Sequence, residues 1–175
     1  MTTTASTGYV AYEYVDVQVD RELEPLYRDA YHNFGWVFEG YGAQPPLASR
    51  VVLRLRRDRR IANRGELMEQ QRACEHALSN IATLEQSKAA IPMAVALGLG
   101  IIGSAFLAGA VFAISAGAWG LGVPLGLVGL AGWAAGFLAH GRVKADKTAQ
   151  VAPQIDREYE AVYVTGERAA RLLAV

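Results

Sequence analysis

The chain has 175 residues, with 17 basic and 17 acidic side chains and a formal net charge of zero. A balanced charge provides no global field that selects nucleic acid or an acidic partner, and this length excludes two large domains. The single cysteine, Cys74, excludes an intramolecular disulfide and is consistent with a reducing compartment.

The first residues, 1–8, are rich in threonine and serine. They lack the basic region and the apolar run of a secretory signal. We therefore expect a disordered N-terminus without a cleaved signal, and an apolar segment further along the chain that acts as the insertion signal.

The segment 9–58 predicts a small β-α-β-β domain. Residues 12–19 alternate between apolar and polar side chains, as a half-buried strand does. A short helix is expected over 21–33, with Pro25 in its first turn and Gly35 at its end.

Two further strands complete this predicted domain, one over 36–41 and one from Ser49 to about Arg57, joined by a Gly-Ala-Gln-Pro-Pro turn. Alternation in the last strand directs one set of side chains into the core, namely Val51, Leu53 and Leu55. It directs the other set toward solvent, namely Val52, Arg54 and Arg56.

The densest charged feature is the run 54–60, with the sequence RLRRDRR. Arginine forks suit phosphate groups, so the candidate phosphate- or partner-binding residues are Arg54, Arg56, Arg59 and Arg60. The alternative is a solvated arginine face, neutralised in part by the glutamates of the helix that follows, Glu66, Glu69, Glu75 and Glu85.

After Asp58 the pattern becomes helical. Apolar residues recur at spacings of three and four over 59–88 and again over 141–175. The two helices are expected to pair antiparallel as a cytoplasmic stalk, with Pro153 kinking or restarting the second one.

The longest uncharged segment runs over 89–139. A single membrane span needs about 20 apolar residues, so this length, with an interruption near 115–120, predicts a transmembrane hairpin over 89–140. Its spans cover about 91–114 and 121–140. The alternative is a hairpin buried inside a soluble protein, but few polar segments remain to cover one.

Basic residues indicate the orientation of this hairpin. Eleven of the 17 precede it, six follow it, and none lies in the turn between the spans. Because cytoplasmic flanks carry the excess of lysine and arginine, both termini are expected in the cytoplasm.

Small residues recur at helical spacing in both spans and predict close helix packing. The predicted packing residues are Gly98 and Gly109 in the first span, and Gly122, Gly126, Gly129, Gly132 and Gly136 in the second. The two faces either pack on each other within one hairpin or leave a second face for homo-oligomers. Neither span contains Asp, Glu, Lys or Arg, which argues against an ion or proton pathway.

No catalytic, cofactor-binding or metal-binding residues are expected. The histidines His32, His76 and His140 are isolated in the sequence, and Cys74 has no histidine in a nucleophile-base arrangement. The glycine string over 98–103 matches a dinucleotide fingerprint only superficially, because it lies inside a predicted span.

Several short motifs together resemble those of a known group. They are Glu13-Tyr14-Val15, Leu26-Tyr27 followed by Phe34-Gly35-Trp36, the turn Arg57-Asp58-Arg59, and the string Gly100-Ile101-Ile102-Gly103 continuing to Ala105-Phe106 and Ala108-Gly109. They are similar to motifs in an uncharacterised family of small two-span membrane proteins of Gram-positive bacteria. The resemblance covers nearly the whole chain and implies this architecture, without an activity or site residues.

These features predict an α+β membrane protein in the cell membrane, with a β-α-β-β cytoplasmic domain, a long helical stalk and a two-helix hairpin in the lipid bilayer. We expect a non-enzymatic, homo-oligomeric scaffold or interaction module that recruits a cytoplasmic protein partner. The alternative is a subunit of an oligomeric pore or channel. A third hypothesis is arginine-mediated binding of phosphate or nucleic acid, although nucleic acid is not the expected partner.

Overall fold

A computed structural model of the protein describes residues 11–43, 49–61 and 63–174. Its elements are β1 (Tyr12–Asp20), a 3-10 turn (Arg21–Leu23), α1 (Glu24–Asn33), β2 (Val37–Tyr41), β3 (Arg50–Asp58), α2 (Arg64–Ser115) and α3 (Trp119–Leu173). The order strand, helix, strand, strand and the overall α+β composition agree with the sequence prediction. The predicted disordered segment 1–8 and the Gln-Pro-Pro part of the predicted turn lie outside the described residues.

The three strands form one antiparallel sheet with β3 in the middle, in the order β1-β3-β2. β1 and β3 pair along their full lengths, from Tyr12 opposite Asp58 to Asp20 opposite Arg50. β2 pairs with β3 through a bulge between Phe38 and Gly40. Because side chains alternate along a strand, one face of β3 carries the buried residues Val51, Leu53 and Leu55.

Helix α1 begins and ends where local chemistry requires it. Pro25 occupies the first turn, where a missing N–H does least harm. Gly35 has φ +80°, a left-handed conformation that ends the helix. Asp20 precedes the 3-10 turn, and its carboxylate accepts a hydrogen bond of 3.1 Å from Nε of Arg50.

The apolar face of the sheet is covered by α1 and by one end of each long helix. Within the described part of the chain, the two long helices contribute seven residues to this core, namely Leu67, Cys74, Ala77, Leu78, Ile81, Val162 and Ala169. A small sheet needs such a covering layer to bury its apolar face. The helical ends that the sequence predicts as a free stalk therefore belong to the core of the sheet domain.

Contacts divide the chain into two compact units. The first, called here the sheet unit, joins the chain up to Ala82 with the chain from Asp156, and the second, the hairpin unit, is Thr83–Ile155. The sheet unit therefore extends past the boundary that the sequence predicts at residue 58.

Each long helix is continuous through the segments that the sequence separates into stalk and span. Pro153 lies inside α3, which runs on to Leu173, so the predicted restart at this proline is wrong. A proline removes a single backbone donor, and the flanking turns keep their own hydrogen bonds. Both helices contain a stretch long and apolar enough to cross a membrane, judged by length and composition.

Candidate functional site

The exposed face of the sheet, called here the outer face, carries two of the four candidate arginines. Arg54 lies directly opposite Asp16 in the β1–β3 register, and its Nε is 3.6 Å from the Asp16 carboxylate. Arg56 forms an ion pair of 2.8 Å with Glu39. The partners of these arginines thus come from neighbouring strands, and not from the helix glutamates that the sequence suggests.

Arg59 and Arg60 lie elsewhere. Both are exposed and follow the end of β3. The backbone N–H of Arg59 donates to the carbonyl of Ala11, and that of Arg60 donates to the carboxylate of Asp58. The four predicted arginines therefore do not share one strand face.

Aromatic side chains accompany the charge pairs on the outer face. The guanidinium of Arg56 lies 4.9 Å from the centre of the Tyr12 ring, which also packs edge-on against Tyr14. Tyr14 is 65% exposed. An open concavity of about 560 Å³ lies between Tyr14, Asp16, Glu39 and Arg54. Because acidic groups stand beside each arginine, this surface is mixed in charge and suits a protein partner better than a bare phosphate.

Arg57 lies outside the set of candidate arginines, and it is almost fully buried, with 2% exposure. Its Nε donates to Glu13 at 2.6 Å, while Nη1 donates to the carbonyl of Phe34 and to the side chain of Gln71. The guanidinium also lies 4.3 Å from the centre of the Trp36 ring. This Arg57 network joins β1, β3, α2 and the residues after α1.

The sequence contained the signal for this burial. Residues 51, 53 and 55 face the core, so strict alternation assigns position 57 to the same face. The high charge of residues 54–60 instead suggests that every arginine of the run faces solvent.

A polar chain continues from Arg57 into the space between α1 and α2. Trp36 donates from Nε1 to Gln71, which donates to Glu75, and the Tyr31 hydroxyl also donates to Glu75 at 3.1 Å. Burial and the neighbouring Glu75 carboxylate raise the pKa of Tyr31, which keeps its phenol protonated as a donor.

Cys74 packs beside this chain and is 1% exposed. Burial raises the pKa of its thiol, and a protonated thiol is a poor nucleophile. Within residues 11–43, 49–61 and 63–174, no group of three or more potential metal ligands occurs.

The predicted packing glycines of the second apolar segment face the first segment within the hairpin unit. A Cβ on Gly122 would clash with the side chain of Ile114, and one on Gly129 would lie 2.9 Å from the carbonyl oxygen of Gly103. The remaining three, Gly126, Gly132 and Gly136, would likewise meet atoms of α2 within 4 Å. Small residues therefore bring the two helices into close contact.

The first segment packs through only one of its two predicted glycines. Gly98 has open space around its Cβ position, whereas Gly109 meets Leu125. Gly103, outside the predicted set, approaches the backbone of Gly129 and the ring of Trp133. Small residues lie on several sides of this segment, so its sequence alone does not select the face that packs.

A second concavity, called here the hairpin groove, lies along one side of the hairpin unit. It has a volume of about 620 Å³ and is lined mainly by apolar side chains, with His140 among the lining residues. Its inner polar atoms are paired, because Trp133 donates from Nε1 to the Ser104 hydroxyl, which donates to the carbonyl of Gly100.

No family model, curated protein or solved structure matches this chain. The resemblance to the two-span family therefore stays a prediction, and the proposals below rest on the geometry.

Proposed function

We propose that the protein is an integral membrane interaction module, in which the hairpin unit crosses the bilayer twice and the sheet unit recruits a cytoplasmic partner. One observation supports the proposal that the hairpin unit crosses the membrane. The most apolar 18-residue windows of α2 and α3 are only 11% and 17% buried. A core helix of a soluble protein buries its apolar side chains, whereas a membrane span exposes them to lipid.

The exposed side chains support the same proposal. Large apolar residues face outward along the apolar segments of both long helices, among them Leu97, Ile101, Phe112, Leu127, Leu130 and Phe137. Monomeric soluble proteins rarely expose a continuous apolar surface of this extent. The positive-inside rule then assigns both termini to the cytoplasm.

Membrane extraction tests this part of the proposal. The wild-type chain should remain in the pellet when membranes are washed at alkaline pH, and tags at both termini should be digested only in inverted vesicles. Leu130→Arg should reduce the inserted fraction, since arginine at a span centre costs about 2.5–3.5 kcal/mol. Ala73→Arg, at an exposed position of the sheet unit, should insert normally. Release of the wild-type chain by the wash would refute the proposal.

The outer face is the surface that we propose for the partner. It combines exposed tyrosines with arginine-carboxylate pairs, a composition that protein interfaces favour over bare charge. Six of the seven predicted packing glycines meet atoms of the other helix within the hairpin unit, which supports an anchor rather than a pore. Self-association stays a prediction, to be measured as the mass of the complex in a membrane mimic.

A charge swap tests whether the outer face binds the partner, and it keeps an ion pair between positions 16 and 54. The double variant Asp16→Arg with Arg54→Asp keeps opposite charges across β1 and β3 but reverses their positions. A photoreactive residue at position 14 should give a discrete adduct in cells, and the swap should abolish it. An adduct of equal yield in the swapped variant would show that the outer face does not recognise the partner.

A further inference from the structure

The side chains that line the hairpin groove suit a bound hydrocarbon chain. Its walls include Met93, Leu97, Ile101 and Phe137. The indole N–H of the groove's tryptophan donates to the Ser104 hydroxyl, which itself donates to the carbonyl of Gly100. An occupant therefore finds apolar surface along the groove and no inner polar atom that needs a partner.

Positive charge continues from one end of this groove. His140 lines the groove, and Lys144 and Lys147 follow on α3 at spacings of four and seven residues, which places them on the same side of the helix. No ion pair within the described part of the chain involves either lysine. Asp146 falls on a different side of α3, because six residues advance a helix by more than one and a half turns.

We propose that the hairpin groove binds one anionic phospholipid, with an acyl chain along the apolar lining and the phosphate at the His140 end against Lys144 and Lys147. The proposal rests on the membrane insertion proposed above. A second copy of the chain fits the groove less well, because a two-fold contact there would bring the same lysines together.

Lipid retention tests the headgroup part of the site. The full chain is reconstituted in nanodiscs of mixed phosphatidylglycerol and phosphatidylcholine, extracted in mild detergent, and weighed by native mass spectrometry. The wild type should retain phosphatidylglycerol preferentially. Lys144→Gln with Lys147→Gln should reduce that preference by about fivefold per lysine. Arg142→Gln, a neighbouring exposed charge on another side of the helix, should leave it unchanged.

A matched pair of glycine variants tests the acyl-chain part. Gly100 lines the groove and Gly98 does not, yet both have open space at the Cβ position. Gly100→Leu should therefore expel the retained lipid, whereas Gly98→Leu should keep it.

Three results would overturn the lipid site. They are an absence of headgroup preference, an equal loss in Arg142→Gln, and a dimer that Gly100→Leu converts to monomer, which would assign the groove to a second copy. Release of the wild-type chain by the alkaline wash is a separate result that refutes the membrane insertion itself.

Discussion

At the residue scale, Arg57 shows how one buried charge holds several elements together. It pairs with Glu13, a carboxylate that also accepts from Arg64 at 2.7 Å. Burying an ion pair is costly unless its remaining hydrogen bonds are satisfied, and Arg57 meets this requirement through the Phe34 carbonyl and Gln71. Arg54, on the outer face, is exposed to solvent, so its ion pair contributes little to the free energy of unfolding.

Arg57→Met should destabilise the sheet unit by about 3 kcal/mol, because it leaves buried acceptors without a donor. Arg54→Met should change stability by about 0.5 kcal/mol or less. The opening free energy of the β3 amides, obtained from hydrogen exchange on the full chain, distinguishes the two. Similar values for both variants would contradict the structural role of the Arg57 network.

Ionisation of Tyr31 makes the free energy of unfolding depend on pH in the alkaline range. Burial and Glu75 raise its pKa in the folded protein above the ordinary tyrosine value of 10.0, so only the unfolded chain releases this proton as the pH passes 10. Its contribution is therefore complete below pH 10 and declines above it. Tyr31→Phe should flatten the fall in denaturation midpoint between pH 9 and 11, while Tyr14→Phe, at an exposed position, should retain the wild-type slope.

At the element scale, sequence alternation predicts β1 and β3 well because the buried side chains of each strand lie on one face. Val15, Val17 and Val19 share a side of β1, and the alternation that places them there is visible in the sequence. Helix α1 was predictable from Pro25 and Gly35. The role of the long helices was not predictable, because an amphipathic face looks the same whether it covers a sheet or another helix.

The glycines of the hairpin unit also show that the sequence alone does not identify every packing face. The second apolar segment repeats glycine along one side, so its packing face was evident. In the first, Gly98 and Gly109 share one side, whereas Gly100 and Gly103 lie on other sides, and only tertiary contact selects among them.

Gly129→Ala should therefore weaken the helix pair, since its Cβ would lie 2.9 Å from a backbone oxygen that cannot move aside. Overpacking of this kind costs about 1–3 kcal/mol. Gly98→Ala has open space and should have little effect. Unfolding of the purified protein in mixtures of mild and denaturing detergent measures both, and equal midpoints would mean that the two helices do not pack closely at Gly129.

At the scale of the whole molecule, the sheet unit depends on residues far apart in the chain. Val162 and Ala169 belong to the same core as Val19 and Leu53. The change from strand to helical periodicity after Asp58 predicts a domain boundary there. This change marks the end of the strands and does not report which helices cover them.

A chain truncated after Ile155 lacks this part of the core. Cys74, the only thiol, should then react rapidly with an alkylating reagent, whereas in the full chain burial keeps it protected. Quantitative alkylation in native membranes compares the two chains. A full-length variant with Leu173→Ala, at an exposed position near the end of α3, should remain protected and serves as the control. Equal protection in the truncated chain would show that the sheet folds without α3.

The divided core also sets an order of events during synthesis. The strands, α1 and the first part of α2 leave the ribosome first, but the part of α3 that completes their core arrives only after both apolar segments have been made, a delay of several seconds at roughly 5–20 residues per second. During that interval the core lacks its α3 side chains. Completion of the N-terminal fold is thereby coupled to synthesis of the hairpin unit, so a chain that stalls before the end of α3 presents an unfinished domain that chaperones and proteases can recognise.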